Sequence, residues 1–280
     1  MPVLVIARLT LFEAVRRRLV LAVILLTPLV VCTTGWGFAK LSDLKGANGV
    51  PLSASELTLN YAIFVVLIAF MFSVVLAIGS VFLAAPSVAS DLESGLALAM
   101  FPRPIRRSSI ILGKWLGLCT LIAVYASATT LIELVTIEVA TGYVPPHPVY
   151  AVLFIVWQSL VMLTLALAAS TRLAPMTCGV IMVVLFGATW IVGIAQTIGS
   201  SFNNDSIVTA GTVVSLILPT DGLWRGAIYN LEPAVLRAAG LRVDPLGVSG
   251  PPTTAFLAWS VCWIIAVLAC GVWSLNRRDL

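Results

Sequence analysis

Residues 57–90 read LTLNYAIFVVLIAFMFSVVLAIGSVFLAAPSVAS, a run without one Asp, Glu, Lys or Arg. A bilayer core of about 30 Å takes roughly 20 apolar residues of helix at about 1.5 Å each, so this run is long enough to cross it. It is continuously apolar, with no period-two alternation, which favours helix over strand. Five further uncharged windows lie at 19–39, 115–132, 139–171, 173–204 and 245–276, the third of these broken by Pro145, Pro146 and Pro148. Each holds one spanning helix. The expected fold is an all-α integral membrane protein with six transmembrane helices near 19–38, 61–85, 112–139, 149–170, 176–198 and 255–274.

Composition agrees. Hydrophobic residues make up 60% of the 280 and charged residues 10%, with a mean hydropathy of +1.08. Soluble domains run about 45–50% apolar and about 25% charged. Sixteen basic and 12 acidic side chains could not cover a water-exposed surface of this size, which excludes a soluble enzyme. Intrinsic disorder and a collagenous or disulfide-stapled scaffold fail on the same numbers. The first window is too long for a signal h-region and no small-x-small site follows Trp36, so it reads as a retained helix.

Eleven basic residues fall on the side of the N-terminus: Arg8, Arg16–Arg18, Arg103, Arg106, Arg107, Lys114, Arg172, Arg277 and Arg278. Five fall on the other: Lys40, Lys45, Arg225, Arg237 and Arg242. The positive-inside rule then places both termini in the cytoplasm, and the net charge of +4 follows from topology without a nucleic-acid partner. Arg16–Arg18 also suit anionic lipid headgroups. Cys32, Cys119, Cys178, Cys262 and Cys270 all lie in expected spans, with no CxxC and a single histidine, His147, so the sequence supplies no metal site and the cysteines read as buried apolar thiols.

The chain reads as a single transmembrane domain over 1–280. Residues 1–18 form an N-terminal interfacial elbow helix, with Glu13 and Arg17 paired at i,i+4. Residues 40–60 are an outer loop bracketed by Trp36 and Tyr61, as in aromatic belts. Residues 86–111 are the main cytoplasmic segment. Residues 199–254 are extracytoplasmic. There Ile207–Leu218 is too short to span and fits a re-entrant or surface-lying helix, followed by an outer helical cap from Asp221 to Ala239. Asn204-Asp205-Ser206 matches a glycosylation triplet, a pattern common by chance.

No G-x-x-x-x-G-K-[ST] occurs, so the chain has no phosphate-cradling loop of its own, and no Ser/His/Asp set offers a catalytic nucleophile. The informative segment is 91–114. Asp91 and Glu93 stand where a short helix would begin, with Leu92, Leu96 and Ala99 as one apolar stripe. Pro102 and Pro104 stop it, and Arg106, Arg107 and Lys114 mark the edge of the third span. Such a helix is shaped to dock in another protein's groove; a solvated basic loop is the alternative.

This segment resembles the first cytoplasmic loop of ABC-2-type permeases, the membrane subunits of ABC exporters. Their pattern is acidic-x-acidic-x-Gly-Thr, an apolar run, Pro-x-x-Arg, and Gly-Lys entering a span. Asp91, Glu93, Gly95, Pro104, Arg107, Gly113 and Lys114 match in order, with Leu96 in place of the threonine. Phe12-Glu13 with Arg16–Arg18 is similar to the family's elbow helix. Leu218-Pro219-Thr220-Asp221 with Trp224-Arg225 is similar to its stretch before the last span, and Arg277-Arg278-Asp279-Leu280 to its frequent C-terminus. The resemblance implies a permease of a bacterial cytoplasmic (inner) membrane, paired with itself or a second permease, and driven by separate ABC ATPase subunits that hold ATP and Mg. It also implies a coupling helix at about Asp91–Met100, with Asp91, Leu92, Glu93, Gly95 and Leu96 touching the ATPase and Pro104, Arg107, Gly113 and Lys114 forming the loop-to-membrane boundary. No cofactor is expected on this chain.

Tyr125, Thr129, Glu133 and Thr136 form one stripe of the third span. They suit a translocation path, while Ala123, Ala126, Ser127 and Thr130 suit a packing seam, the reading preferred here. Gln158 and Gln196 are lone amides, and Gly113-x-x-x-Gly117 a possible close-packing face. Two other function classes fit the residues: an ATP-independent channel or carrier using Glu133 and Glu138, and a membrane anchor or assembly factor.

Overall fold

The computed structural model describes residues 2–16, 18–41, 53–93, 106–233 and 250–277. Its helices are α1 (Pro2–Val15), α2 (Arg18–Leu41), α3 (Ala54–Glu93), α4 (Arg107–Thr141), α5 (Pro148–Ala169), α6 (Pro175–Ser201), α7 (Asp205–Ile217), α8 (Thr220–Leu231) and α9 (Thr254–Asn276). No strand occurs among the described residues. Six helices, α2 to α6 and α9, are long and apolar enough to cross a membrane, and all six coincide with the charge-free windows. The chain is an all-α integral membrane protein.

The helices overrun the apolar runs where local chemistry extends them. Ser53 and Glu56 form a reciprocal cap at the start of α3: the Ser53 N–H donates to Glu56 Oε2 (2.8 Å) and the Glu56 N–H to Ser53 Oγ (3.3 Å). Pro148 and Pro175 each sit at the first helical position, where their missing N–H costs nothing. At the end of α4, Gly142 takes φ +70°, and its N–H returns to the Glu138 carbonyl (2.7 Å).

The core is organised around α5, which packs against α3, α4, α8 and α9. Small residues let α3 come close to it. Ala77, Ser80, Ala84 and Ala85 are buried, and Ser80 Oγ lies 3.0 Å from the Ser159 carbonyl of α5. Trp115 of α4 donates its indole N–H to Thr164 Oγ1 of α5 (2.9 Å). By contrast α2 is mostly exposed. Of the cysteines, Cys119 and Cys178 are buried as expected, whereas Cys32, Cys262 and Cys270 lie on outward faces. Tyr61 also departs from its expected belt position: it is buried in an aromatic row with Phe38 (6.3 Å between centroids) and Tyr143 (6.4 Å), while Trp36 stays exposed.

Sidedness within the bundle follows from contacts. Arg107, at the start of α4, and Arg172, in the α5–α6 turn, both reach the last residues of α9. The far edge carries the 142–147 turn, where the His147 N–H donates to the Asn230 carbonyl at the end of α8 (3.1 Å). The last span thus runs back to the basic edge, and α7 with α8 must enter and leave on the opposite side. The pair is bent by 101° at Leu218-Pro219. It is a re-entrant helical hairpin whose two arms are each about 20 Å long or slightly less by helix rise. The helical segment between spans five and six is present, but α8 is sunk in the bundle and does not lie on its surface: Leu223, Trp224, Ala227, Ile228 and Leu231 are all buried.

Candidate functional site

At the basic edge, residues 86–93 are the last turns of α3, so Asp91 and Glu93 do not open a new helix. The apolar run simply continues as helix past the point where charges begin. Lys114 of α4 is 6% exposed, and its ammonium donates to the Ser87 carbonyl of α3. Gly95, Leu96, Pro104 and the rest of the expected coupling helix, up to Met100, lie outside the described residues.

Arg107 binds the membrane domain itself, donating through one guanidinium nitrogen to the carbonyls of Leu275 (3.0 Å) and Asn276 (3.2 Å). Arg172 adds bonds to Ser274 Oγ (2.9 Å) and the Ser274 carbonyl (3.1 Å), and Thr171 a further one to Ser274 Oγ (2.9 Å). These donors satisfy the carbonyls that every helix leaves unpaired at its C-terminus. Arg277 stacks over Trp273, 4.3 Å from the ring centroid.

Gly113 and Gly117 receive α1. A Cβ on Gly113 would stand 2.7 Å from the Ile6 side chain, and one on Gly117 would stand 2.5 Å from the Ala7 carbonyl oxygen. Ala7, Thr10 and Ala14 are the buried face of α1. The elbow is therefore docked by backbone approach, a role for the Gly-x-x-x-Gly face that its place at the membrane edge concealed.

In the third span, Tyr125 donates to Thr27 Oγ1 of α2 (2.7 Å), whose own hydroxyl proton is used on the Val23 carbonyl. Thr129 and Thr136 bond back to their own helix, to Tyr125 (2.9 Å) and Ile132 (2.8 Å). The Thr136 methyl fits against Gly35 of α2. Glu133 is 4% exposed, and neither carboxylate oxygen meets hydrogen-bond geometry. The stripe faces α2, and Tyr125 also lines an apolar cavity of about 120 Å³ between α2, α3 and α4.

The hairpin carries the densest polar network. The Arg225 Nε donates to Asp221 Oδ2 (2.7 Å), and a second guanidinium nitrogen donates to the Gly193 carbonyl of α6. Gly193 is required there, since a Cβ would overlap the Asp221 carboxylate. Thr220 and Thr189 join hydroxyls at 3.1 Å. Gln196 holds α7 through Thr212 Oγ1 (3.1 Å). Two indoles of α9 finish the hairpin: Trp259 donates to the Leu216 carbonyl (2.9 Å) and Trp263 to the Ile217 carbonyl (2.7 Å). Sequence reasoning missed both. The signal was present in their i,i+4 spacing opposite a short helix ending in Leu-Pro, but an aromatic belt reads the same way.

Outside the spans, Tyr143 lies near the hairpin's exit, and burial, aided by the Glu232 carboxylate, pushes its phenol up to about 12. Among the described residues no group of three His, Cys, Asp or Glu could hold a metal.

The geometry is that of a helical membrane domain with a terminal elbow, a basic edge and an outer re-entrant hairpin. No curated protein matches the chain at a significant level. A family model does, over nearly its whole length: it is that of the ABC-2 family transporter proteins, and it matches residues 4–280. The chain belongs to the ABC-2 transporter family.

Proposed function

We propose that this protein is the membrane-spanning permease subunit of an ATP-driven exporter, coupled to separate ABC ATPase subunits and working as a pair of permeases. The observation that carries the reading is the family match over 4–280. The sequence has no phosphate-binding loop, so ATP and Mg belong to the partner and this chain is a transporter subunit, not an enzyme. The length of α3 and α4 supports a coupling role for the segment between them. At 40 and 35 residues they reach about 60 and about 50 Å, against a bilayer core of about 30 Å, and they are joined by the basic loop. Closure of the ATPase dimer would push on that loop and shift the bundle between two states. The membrane is the bacterial cytoplasmic (inner) membrane, with both termini and the basic edge in the cytoplasm. The carrier reading has less support, because Glu138 is exposed while Glu133 is buried against α2.

Co-purification with the ATPase encoded beside this gene tests the reading, followed by a screen for substrate-stimulated ATP hydrolysis. Glu93→Lys is expected to reduce ATPase recovery at least about tenfold, the loss of roughly 1.4 kcal/mol, with membrane insertion normal. Wild-type recovery by this variant would overturn the coupling assignment.

A further inference from the structure

Between the start of α4 and the end of α9 an apolar groove of about 510 Å³ opens on the outside of the bundle. Ser108 and Leu112 of α4 line one side of it, and Ile265, Ala269, Trp273 and Asn276 of α9 the other. On α9 these positions recur every three or four residues, so they form one stripe of the helix. The stripe is bare: Ile265 is 61% exposed and Trp273 57%, and Leu112 across from them is 39% exposed.

The groove has one charged end. From Ile265 to Asn276 it runs about 16 Å along α9 by helix rise, about half of the roughly 30 Å bilayer core. At that depth it meets the basic edge. Arg277 follows Asn276, and its guanidinium stacks on the ring of Trp273, 4.3 Å from the centroid. Arg107 donates to the Asn276 carbonyl (3.2 Å) and so stands at the same end, and Arg106, one residue before α4, is exposed. The positive end of the α4 dipole lies there too. Among the described residues no carboxylate pairs with Arg106 or Arg277.

An apolar trough one leaflet long and closed by cations has the shape and charge of a phospholipid. A spanning helix from another chain would need the full thickness of the core. Lipid tails are as apolar as the groove itself, so the tail gives fit without preference, and selection falls on the headgroup. We infer that this groove binds an anionic phospholipid of the leaflet at the basic edge, with one acyl chain along Ile265–Trp273 and its phosphate beside Arg277 and the start of α4. The lipid adds a second tie between α4 and α9 at the edge where Arg107 already joins them. An arginine near a membrane surface favours anionic over neutral lipid about fivefold.

The test is native mass spectrometry of the full chain with equal amounts of phosphatidylglycerol and phosphatidylcholine of matched acyl chains, beside electron cryomicroscopy in nanodiscs of the same mixture. Retained phosphatidylglycerol should exceed phosphatidylcholine at least about fivefold, and a tail-shaped density should follow the groove to a headgroup beside Arg277. Arg277→Gln should lower that preference about fivefold, whereas Arg277→Lys, which keeps the charge, should retain it. Ala269→Trp, which fills the groove and leaves every charge in place, should remove the density. Equal retention of the two lipids by the wild type, or equal losses in Arg277→Gln and Arg277→Lys, would overturn the headgroup assignment. An empty groove, or protein density in it from a second copy or from the chain's own residues 94–105, would overturn the site. If Ala269→Trp fails to fold, the wild-type density decides.

Discussion

The last carbonyls of α9 and the last carbonyls of α7 face the same difficulty and are answered by different side chains. At the basic edge, the carbonyls of residues 274–276 are met by the guanidinium groups of Arg107 and Arg172. On the outward face of the hairpin, the carbonyls of Leu216 and Ile217 are met by the indoles of Trp259 and Trp263, about 8 and about 14 Å along α9 from its outer end. A helix C-terminus leaves carbonyls unpaired wherever it falls. Where water can reach, a charged donor is affordable, and water can replace it. At depth a lone cation costs too much, while an indole carries its donor on an apolar body. One cation does enter the hairpin, Arg225, and it comes with its own carboxylate at i−4 and a backbone oxygen from α6.

That contrast is broken most directly at Asp221. Asp221→Ala leaves Arg225, whose side chain is 24% exposed, without its counter-charge. A loss of about 3 kcal/mol in thermal or denaturant unfolding in nanodiscs is expected. Asp221→Asn, which retains an acceptor, should lose less. Equal losses would mean that charge plays no part in holding the hairpin. The second test separates packing from charge at the basic edge. In Gly117→Val the new side chain collides with the Ala7 carbonyl and displaces α1, an overpacking cost of about 2 kcal/mol, read out as faster proteolysis or exchange of residues 2–16.

Much of this arrangement was legible in the residues. Gaps between charges placed the spans because a bilayer core tolerates few charges, and α5 at 148–169 falls within a residue of the expected 149–170. The ends of α3 were not legible from apolarity, which reports the lipid-facing length. The Ser53-x-x-Glu56 cap and the continuation through Asp91–Glu93 belong to helix chemistry outside it. Ile207–Leu218 announced itself as too short to span. The burial of α8 was hinted at by Trp224, Ile228 and Leu231 on one face, but a helix on a membrane surface would show the same stripe. The coupling residues were noticed for their spacing, and the described structure reaches only the first of them. The ties made by Trp259, Trp263, Arg107 and Arg172 were silent, because each depends on which backbone oxygen lies opposite.

The two smallest predictions measure the contrast itself. Trp263→Phe keeps the ring and removes the donor, leaving the Ile217 carbonyl unsatisfied at depth. Leaving an acceptor bare where lipid excludes water costs about 1–3 kcal/mol, whereas hydrogen bonds between membrane helices average about 0.6 kcal/mol because the unfolded chain also finds partners. A loss of about 1–2 kcal/mol is therefore expected, with faster exchange confined to 205–231. Arg172→Ala removes two hydrogen bonds from Ser274, twice as many as Trp263→Phe removes. Counting bonds would make it the costlier change. Arg172 is exposed, however, and water can take over at the Ser274 carbonyl, while Thr171 still reaches Ser274 Oγ. Its expected cost is below about 1 kcal/mol, as for other exposed charged contacts. Unfolding of the two variants side by side decides the matter: if Arg172→Ala costs as much as Trp263→Phe, access to water is not what distinguishes the two ends of this bundle.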